Sequence, residues 1–321
     1  MKDLSIIVPV YNVEKYVLKC LESIFDQGLV EDSFEVIIVN DGTKDRSMDI
    51  VLEFAKCHSN IVILNQENQG LSVARNNGLS HANGRYILFV DSDDFIVKGC
   101  LPILLSKAIE HSSDMLIADF IKMTDEDIGK SVPDCENKHY EEILMNGREA
   151  FVKILNPYQC YIWRIIYSRV FLEENHISFI PNIYFEDIPF VIDCYLKVNK
   201  TVVFLLPFYI YRQRQNSIVS SINNKKLLDY NIVIQHLWSL LTKEVLSKEE
   251  YLKMADALFA TFSLEMWYLS HVKGTFPYRK EIIKDLKEKV PDLYFCGGTK
   301  QRLVSLIFRW MPNVYLWIRS L

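Results

Sequence analysis

Along residues 1–120, short unbroken apolar runs alternate with stretches in which apolar positions recur three and four apart. The unbroken runs predict buried strands over Leu4–Val10 and Phe34–Val39, a short third strand over Ile61–Leu64, a fourth over Tyr86–Val90 and another over Asp114–Phe120. The spaced stretches predict helices over Glu14–Gln27, around Ile50–Ala55, and over Leu71–Leu79 and Leu101–His111. Strands alternating with helices in units this short predict a mostly parallel sheet with helices on both faces. The polar segment Thr124–His139 breaks the pattern and reads as a loop. Beyond it the pattern gives a helix near Gly147–Leu155, a strand-like Cys160–Tyr167, a helix from Ser168 and another over Ile188–Lys197. Thr201–Leu206 and Phe208–Tyr211 read as a hairpin around Pro207. From about Ile222 to the end the spacing is helical, so the α/β part is placed at 1–220 and a helical region at 221–321.

Composition narrows the classes. With 36 basic and 41 acidic residues and a formal charge of −5, the chain carries no strong nucleic-acid footprint. No apolar run approaches the roughly 20 residues of a spanning helix. Met1-Lys2-Asp3 is followed at once by a strand pattern rather than a secretory leader. The seven cysteines are widely spaced with no C-x-x-C pair, which predicts reduced thiols and a cytoplasmic setting. After Asp292 there are no acids, whereas Lys300, Arg302, Arg309 and Arg319 remain. Residues 301–321 therefore read either as a peripheral contact with an anionic membrane, at the inner face of the cell membrane, or as a last packed helix; Pro312 kinks both.

Charge at the ends of apolar segments locates the chemistry. Tyr86–Val90 runs straight into Asp91-Ser92-Asp93-Asp94, and in extended chain Asp91 and Asp93 share a face. Carboxylates at the carboxyl end of a strand suit Mg²⁺ or Mn²⁺ shared with substrate phosphates, although Asp94 also suits a helix cap. Asp41, Arg75, Glu186-Asp187, and Arg212 with Arg214 stand at comparable places. Each has a bland counterpart: a turn at Asp41-Gly42, a surface ion pair for Arg75, a cap for the helix at Ile188, a solvated strand edge for the arginines. Taken together they describe a diphosphate leaving group held by a cation and two guanidiniums, with a separate carboxylate as base.

Four blocks then occur in order: Ser5-Ile6-Ile7-Val8-Pro9-Val10-Tyr11-Asn12, Val39-Asn40-Asp41-Gly42-Thr43-Lys44-Asp45, Asn68-Gln69-Gly70-Leu71-Ser72-Val73-Ala74-Arg75-Asn76, and Gly84-Arg85-Tyr86 through Asp94. In order and spacing they resemble the blocks of family 2 glycosyltransferases. Phe185-Glu186-Asp187 and Tyr211-Arg212-Gln213-Arg214-Gln215-Asn216-Ser217-Ile218 resemble later blocks of the same family. The likeness covers about the first 220 residues.

The resemblance implies a GT-A fold, a Rossmann-like sheet flanked by helices, with residues 1–118 binding the nucleotide-sugar and 119–220 the acceptor. It implies a UDP-sugar donor, Mn²⁺ or Mg²⁺, and inversion at the anomeric carbon. By position, Pro9, Tyr11 and Glu14 line the nucleotide pocket, and Asp41 accepts from the uracil N3. Arg75 lies near the diphosphate. Asp91, with Ser92 beside it, contacts the nucleoside side, and Asp93 ligates the metal. Asp187, or else Glu186, is the base; Arg212 and Arg214 close over the diphosphate. The implied acceptor is a saccharide, free or lipid-linked, of a surface glycan. Trp163-Arg164-Ile165-Ile166-Tyr167 lacks the Trp-Asn-Lys of many relatives, which leaves the acceptor open. Gln159 and Trp163-Arg164 do not reproduce the Gln-x-x-Arg-Trp of processive synthases, so a single addition is expected. The alternatives are a nucleotidyltransferase, which expects a Gly-rich, Arg-containing loop where Tyr11-Asn12-Val13-Glu14 stands, and a non-catalytic sugar-nucleotide binder.

Overall fold

The computed structural model describes residues 2–131, 135, 140–214, 223–271, 276–296 and 299–320. Residues 1–150, 161–182 and 193–215 form one compact unit; residues 151–160, 183–192 and 216–321 form a second.

The first unit opens with β1 (Leu4–Val10), α1 (Val17–Phe25), β2 (Phe34–Asn40), α2 (Ser47–Ala55), β3 (Ile61–Asn65), α3 (Leu71–His81) and β4 (Tyr86–Phe89). β1 is parallel to β2 on one side and to β4 on the other, and β2 is parallel to β3. Every residue of β1 is buried, as its unbroken apolar run requires of a strand covered on both faces. β4 pairs with β1 only as far as Ile7. Pro9 therefore removes a backbone donor where one strand neighbour has already ended, which lets a proline sit in a central strand. Each parallel crossover needs a helix, and α1 supplies an inner stripe of Val17, Cys20, Leu21 and Ile24. Burying each of its larger aliphatic side chains is worth about 1.5–3 kcal/mol. α3 lies on β1 and β2, where a side chain on Gly78 would collide with Ile7.

The unit continues with β5 (Phe95–Ile96), α4 (Cys100–Glu110), β6 (Met115–Thr124), α5 (Asp125–Lys130), β7 (Glu142–Met145), α6 (Gly147–Lys153), β8 (Ile165–Ser168), α7 (Arg169–Glu174), α8 (Asp187–Lys197) and β9 (Thr201–Gln213). α6 and α8 run across the division between the units. The sheet order is β3-β2-β1-β4-β8-β6-β9-β5, with β7 on β9. Parallel pairing dominates, and β8 enters antiparallel between β4 and β6.

Three expectations are corrected. Residues 201–213 are one strand, not a hairpin: Pro207 stands opposite Asp119 at a bulge, where β6 and β9 shift register and then pair on to Gln213. The polar segment after Thr124 is not all loop. Thr124 and Asp127 form a reciprocal capping box that starts α5, which acidic first-turn residues then favour. The thiols are not all reduced, since Cys100 is bonded to Cys135; the fold returns the chain to within 5.8 Å between Cα atoms over a separation of 35 residues. That return leaves no trace in cysteine spacing. Cys20, Cys57, Cys160 and Cys194 are free thiols.

In the second unit α9 (Asn224–Lys243), α10 (Lys248–His271), α11 (Arg279–Cys296), α12 (Thr299–Trp310) and α13 (Pro312–Ser320) follow the helical spacing read from about Ile222. Asn223 caps α9 by accepting the Lys226 amide at 2.9 Å. α9 buries Val233, Ile234 and Leu237, and α10 buries Met254, Leu258, Phe262 and Leu269. Pro312 does more than kink the tail: it opens a new helix at its first position, where its missing N–H costs nothing. Among the described residues, no helix is long and apolar enough to cross a membrane.

Candidate active site

The carboxyl ends of β1, β2 and β4 lie side by side in the first unit, so Tyr11, Asp41 and Asp91 emerge from one edge of the sheet. That edge is where open α/β sheets bind ligands. Thr43 and Asp45 stitch the first two loops together. The Asn12 amide donates to Thr43 Oγ1 at 2.8 Å and the Glu14 amide to Asp45 Oδ2 at 2.9 Å. Glu14 Oε2 in turn accepts the Arg46 amide at 3.0 Å, so its carboxylate braces the neighbouring loop. Asp45 also takes the Ser47 and Thr43 hydroxyls. Its carboxyl lies low despite some burial, because these donors favour the charged form. Tyr11 is 43% exposed and Pro9 is buried.

Asp41 is buried and organises the loop before α3. Its Oδ1 accepts the Gln66 side chain at 2.8 Å and the Gln69 amide at 2.9 Å, and its Oδ2 accepts the Gly70 amide at 3.0 Å. Oδ2, with a single internal donor among these, keeps room for another. Gly42 sits at φ +69°, a conformation that favours glycine, and a Cβ there would press to 3.0 Å from the Asn68 amide nitrogen. Residues 41–44 form no regular turn, and the Asp41 carboxylate instead anchors the loop before α3.

Arg75 is not a surface residue. It is buried, and its guanidinium meets Asp91 Oδ1 at 2.6 Å with the Phe179 ring 5.7 Å away. Only the guanidinium side of this pair is dry, since the Asp91 side chain keeps 25% exposure, so losing Asp91 would leave a buried cation without this counter-charge.

The aspartate cluster is tied to the far end of β9. Tyr209 Oη accepts the Asp91 amide at 3.0 Å and donates to Asp94 Oδ2 at 2.9 Å. Asp94 Oδ1 accepts the Arg212 amide at 2.8 Å, and Arg212 Nε donates to the Asp93 carbonyl at 3.0 Å. Arg214 forms an ion pair with Asp93 Oδ2, its Nε at 2.7 Å without hydrogen-bond alignment. Asp94 was expected to cap a helix. The next helix starts only at Cys100, and Asp94 instead latches β9. Burial, then the neighbouring Asp93 and Asp91, push the Asp94 carboxyl well up. Burial and Asp91 also raise Asp93, against the pull of Arg214. Ser92 is buried between them. Arg212 also reaches Asp125 at 2.6 Å and lies 4.9 Å from the centre of the Tyr16 ring.

Tyr209 is held in turn by rings. Trp163 stacks on it at 4.2 Å and on Tyr161 at 4.6 Å, with Tyr211 at 5.5 Å from Trp163. Sequence reasoning missed Tyr209, Asp94 as a latch, and Asp45. The alternation of Tyr209, Tyr211 and the arginines along one strand was the available signal for the first, and the Asp-Gly-Thr-x-Asp-x-Ser run for the last. Gln215 to Ile218, which completed the last block, lie outside the described residues.

Glu186 and Asp187 belong to the second unit. Asp187 opens α8 and is half-buried; Glu186 is buried. The turn before them is built by α9. The Tyr184 amide donates to Asp229 Oδ2 at 2.9 Å, and Phe185 stacks on Tyr230 at 3.8 Å. Phe185 adopts φ +63°, a left-handed conformation that a bulky residue holds only when its surroundings enforce it. Burial and the nearby Asp187 charge raise the Cys160 thiol.

Among the described residues no three His, Cys, Asp or Glu side chains converge as a metal cage. The donor set that does exist, Asp93 beside Asp91, fits Mg²⁺ or Mn²⁺, which commonly take one or two carboxylates and complete their shell with substrate phosphates and water.

Comparison with known proteins agrees with this geometry. Residues 5–173 match the model of Glycosyl transferase family 2. The putative glycosyltransferase EpsH of Bacillus subtilis is 31% identical over 85% of this chain and 79% of its own length. The cholesterol galactosyltransferase of Borreliella burgdorferi is 28% identical over 94% of this chain and 82% of its own length. Among solved structures, Staphylococcus aureus TarS 1–349 in complex with UDP-GlcNAc superposes with a TM-score of 0.77 at 24% identity, covering 100% of this chain and 90% of that one. A more distant likeness, with a TM-score of 0.54 at 12% identity over 99% of this chain and 86% of that one, is the mannosyltransferase PcManGT of Pyrobaculum calidifontis, solved with GDP-Man and Mn²⁺. The sheet order, the carboxylates at its carboxyl edge and the matched residues lead to one conclusion: the chain has the GT-A fold and belongs to glycosyl transferase family 2.

Proposed function

We propose that the chain moves one sugar from a nucleotide-diphospho-sugar, in the first instance a UDP-sugar, to an acceptor hydroxyl with inversion, in the synthesis of a surface polysaccharide. The observation that carries this reading is the latch between Asp91–Asp94 and Tyr209–Arg214. It gathers carboxylates for a cation and guanidiniums for a diphosphate from segments more than a hundred residues apart. UDP-GlcNAc in the TarS structure supports the donor class, and the relatives TarS, a poly(ribitol-phosphate) β-N-acetylglucosaminyltransferase, and GgaB, a minor teichoic acid biosynthesis protein, support the pathway class.

In this reading Pro9, Tyr11 and Glu14 border the nucleotide and Asp41 reads the base through Oδ2. Asp91 and Ser92 face the nucleoside side, with Arg75 acting through Asp91. Asp93 is the metal ligand, and Mn²⁺ or Mg²⁺, when bound there, supplies positive charge to the diphosphate. Arg212 and Arg214 turn from their carboxylate partners to the diphosphate as negative charge grows on it. Asp187, with Glu186 as the other candidate, accepts the acceptor's proton. The acceptor oxygen bonds to the anomeric carbon on the face opposite the leaving group, the bond from that carbon to the diphosphate breaks, and the nucleoside diphosphate departs. Residues 1–118 serve the donor and 119–220 the acceptor. The acceptor is a saccharide, free or on a lipid carrier, and in the lipid-linked case residues 301–321 touch the inner face of the cell membrane.

The test is nucleotide release from a panel of UDP-, GDP- and dTDP-sugars in Mn²⁺, with and without saccharide acceptors. Release of a nucleoside diphosphate from one donor is expected; release of pyrophosphate, or of nothing, overturns the reading.

A further inference from the structure

We propose that the outer face of α12, continued by the start of α13, is a docking surface for anionic lipid. This rests on the membrane-acceptor reading above and sharpens it to one helix face. The sequence left two uses for this segment, packing or membrane contact, and the structure assigns different residues to each. The packed side is Ser305 and Phe308: Phe308 meets the Phe262 ring of α10 at 5.1 Å and the Tyr315 ring of α13 at 5.9 Å. The opposite side is apolar as well. Leu303 is 57% exposed, Leu306 41% and Trp310 71%, positions i, i+3 and i+7 of one helical stripe, and Met311 and Val314 extend it at 51% and 44%.

A helix that has already satisfied its own unit through one face has no reason of stability to keep five apolar side chains in water on the other. Charge selects the occupant. Arg302 and Arg309, seven apart, fall on one flank of the stripe, both exposed, and Arg309 leans 5.8 Å from the centre of the Trp310 ring. No acidic residue follows Asp292 in the chain. An apolar stripe with a Trp and two exposed arginines beside it is the composition of a helix that lies in a bilayer interface. Its leucines enter the acyl boundary and its guanidiniums meet lipid phosphates. A second protein copy would have to bring its own anionic counterpart to the same flank.

The test is flotation of the full-length protein with vesicles of phosphatidylcholine alone or mixed with phosphatidylglycerol. It compares wild type, the apolar variant Leu306→Ser/Trp310→Ala, and the charge variant Arg302→Gln/Arg309→Gln. Wild type is expected to float with the anionic vesicles and little with the zwitterionic ones. The apolar variant should bind at least about tenfold more weakly, and the charge variant should lose the preference for anionic lipid. All of the substituted side chains are at the surface, so UDP-sugar binding in solution should be unchanged. Equal flotation of wild type and apolar variant overturns the proposal. So does absence of flotation together with a dimer, seen by light scattering, that the apolar variant dissolves. Loss of donor binding or of nucleotide release in wild type would instead count against the transferase reading, which flotation does not measure.

Discussion

Asp93 shows how one side chain is held ready at the site. Burial and the adjacent Asp91 favour its neutral form, while Arg214 at 2.7 Å favours the charged one. On the proposed reading, with Asp93 as the metal ligand, that guanidinium holds the place a divalent cation would take when no donor is bound. Arg214→Gln should therefore tighten Mn²⁺ binding to the nucleotide-free protein, by about tenfold if the lost competition is worth ~1.4 kcal/mol, and weaken UDP binding, since a diphosphate contact is gone. Titration of Mn²⁺ by electron paramagnetic resonance, and of UDP by calorimetry, reads the two signs separately. Weakening of both would mean that Arg214 supports Asp93 instead of competing for it. Asp93→Ala should abolish both Mn²⁺ binding and transfer while leaving the fold intact. The functional types at this scale were legible in sequence because carboxylates and arginines stood where apolar runs ended. What Arg75 does was not: its neighbours in sequence are helical, and only packing shows that Asp91, sixteen residues on, is its partner.

At the scale of elements, the latch between the end of β4 and the end of β9 decides whether donor-site carboxylates and guanidiniums meet. Tyr209→Phe keeps the ring stack with Trp163 but removes the hydroxyl that serves Asp91 and Asp94. Leaving a buried acceptor and a buried amide short of a partner should cost about 1–3 kcal/mol in chemical denaturation, and donor KM should rise. A variant with unchanged stability and KM would remove the latch from the account. β9 itself was misread as a hairpin because proline in an apolar run normally ends a strand. Here a bulge opposite Asp119 absorbs it, a long-range arrangement with no local signature. The parallel crossovers β1–α1–β2–α2–β3–α3–β4 were legible because strand and helix periods alternate there, although β3, an apolar run, has no buried residue in the structure. β8 was legible only as a vague apolar stretch, since its neighbours β4 and β6 are set by topology.

For the whole molecule, stability and chemistry draw on different parts of the chain. In the helical unit Glu265 is fully buried with both carboxylate oxygens lacking a hydrogen-bond partner, and burial, then Asp285, push its carboxyl well above 4.5, opposed by Lys289. A raised folded pKa means that the folded state holds this proton after the unfolded chain has lost it. Stability from this group is complete below about pH 4.5 and declines as pH rises through the folded value. Glu265→Leu should raise stability at neutral pH by about 1–3 kcal/mol and flatten that decline, measured by denaturation across pH. In the proposed function the base is instead a carboxylate in the segment that α9 braces through Asp229 and Tyr230. The most direct measurement is single-turnover transfer by Asp187→Asn beside calorimetric binding of the same UDP-sugar. A base acting on the acceptor predicts a rate lower by about 10²–10⁴-fold with donor affinity unchanged. Near-wild-type turnover by Asp187→Asn would contradict it.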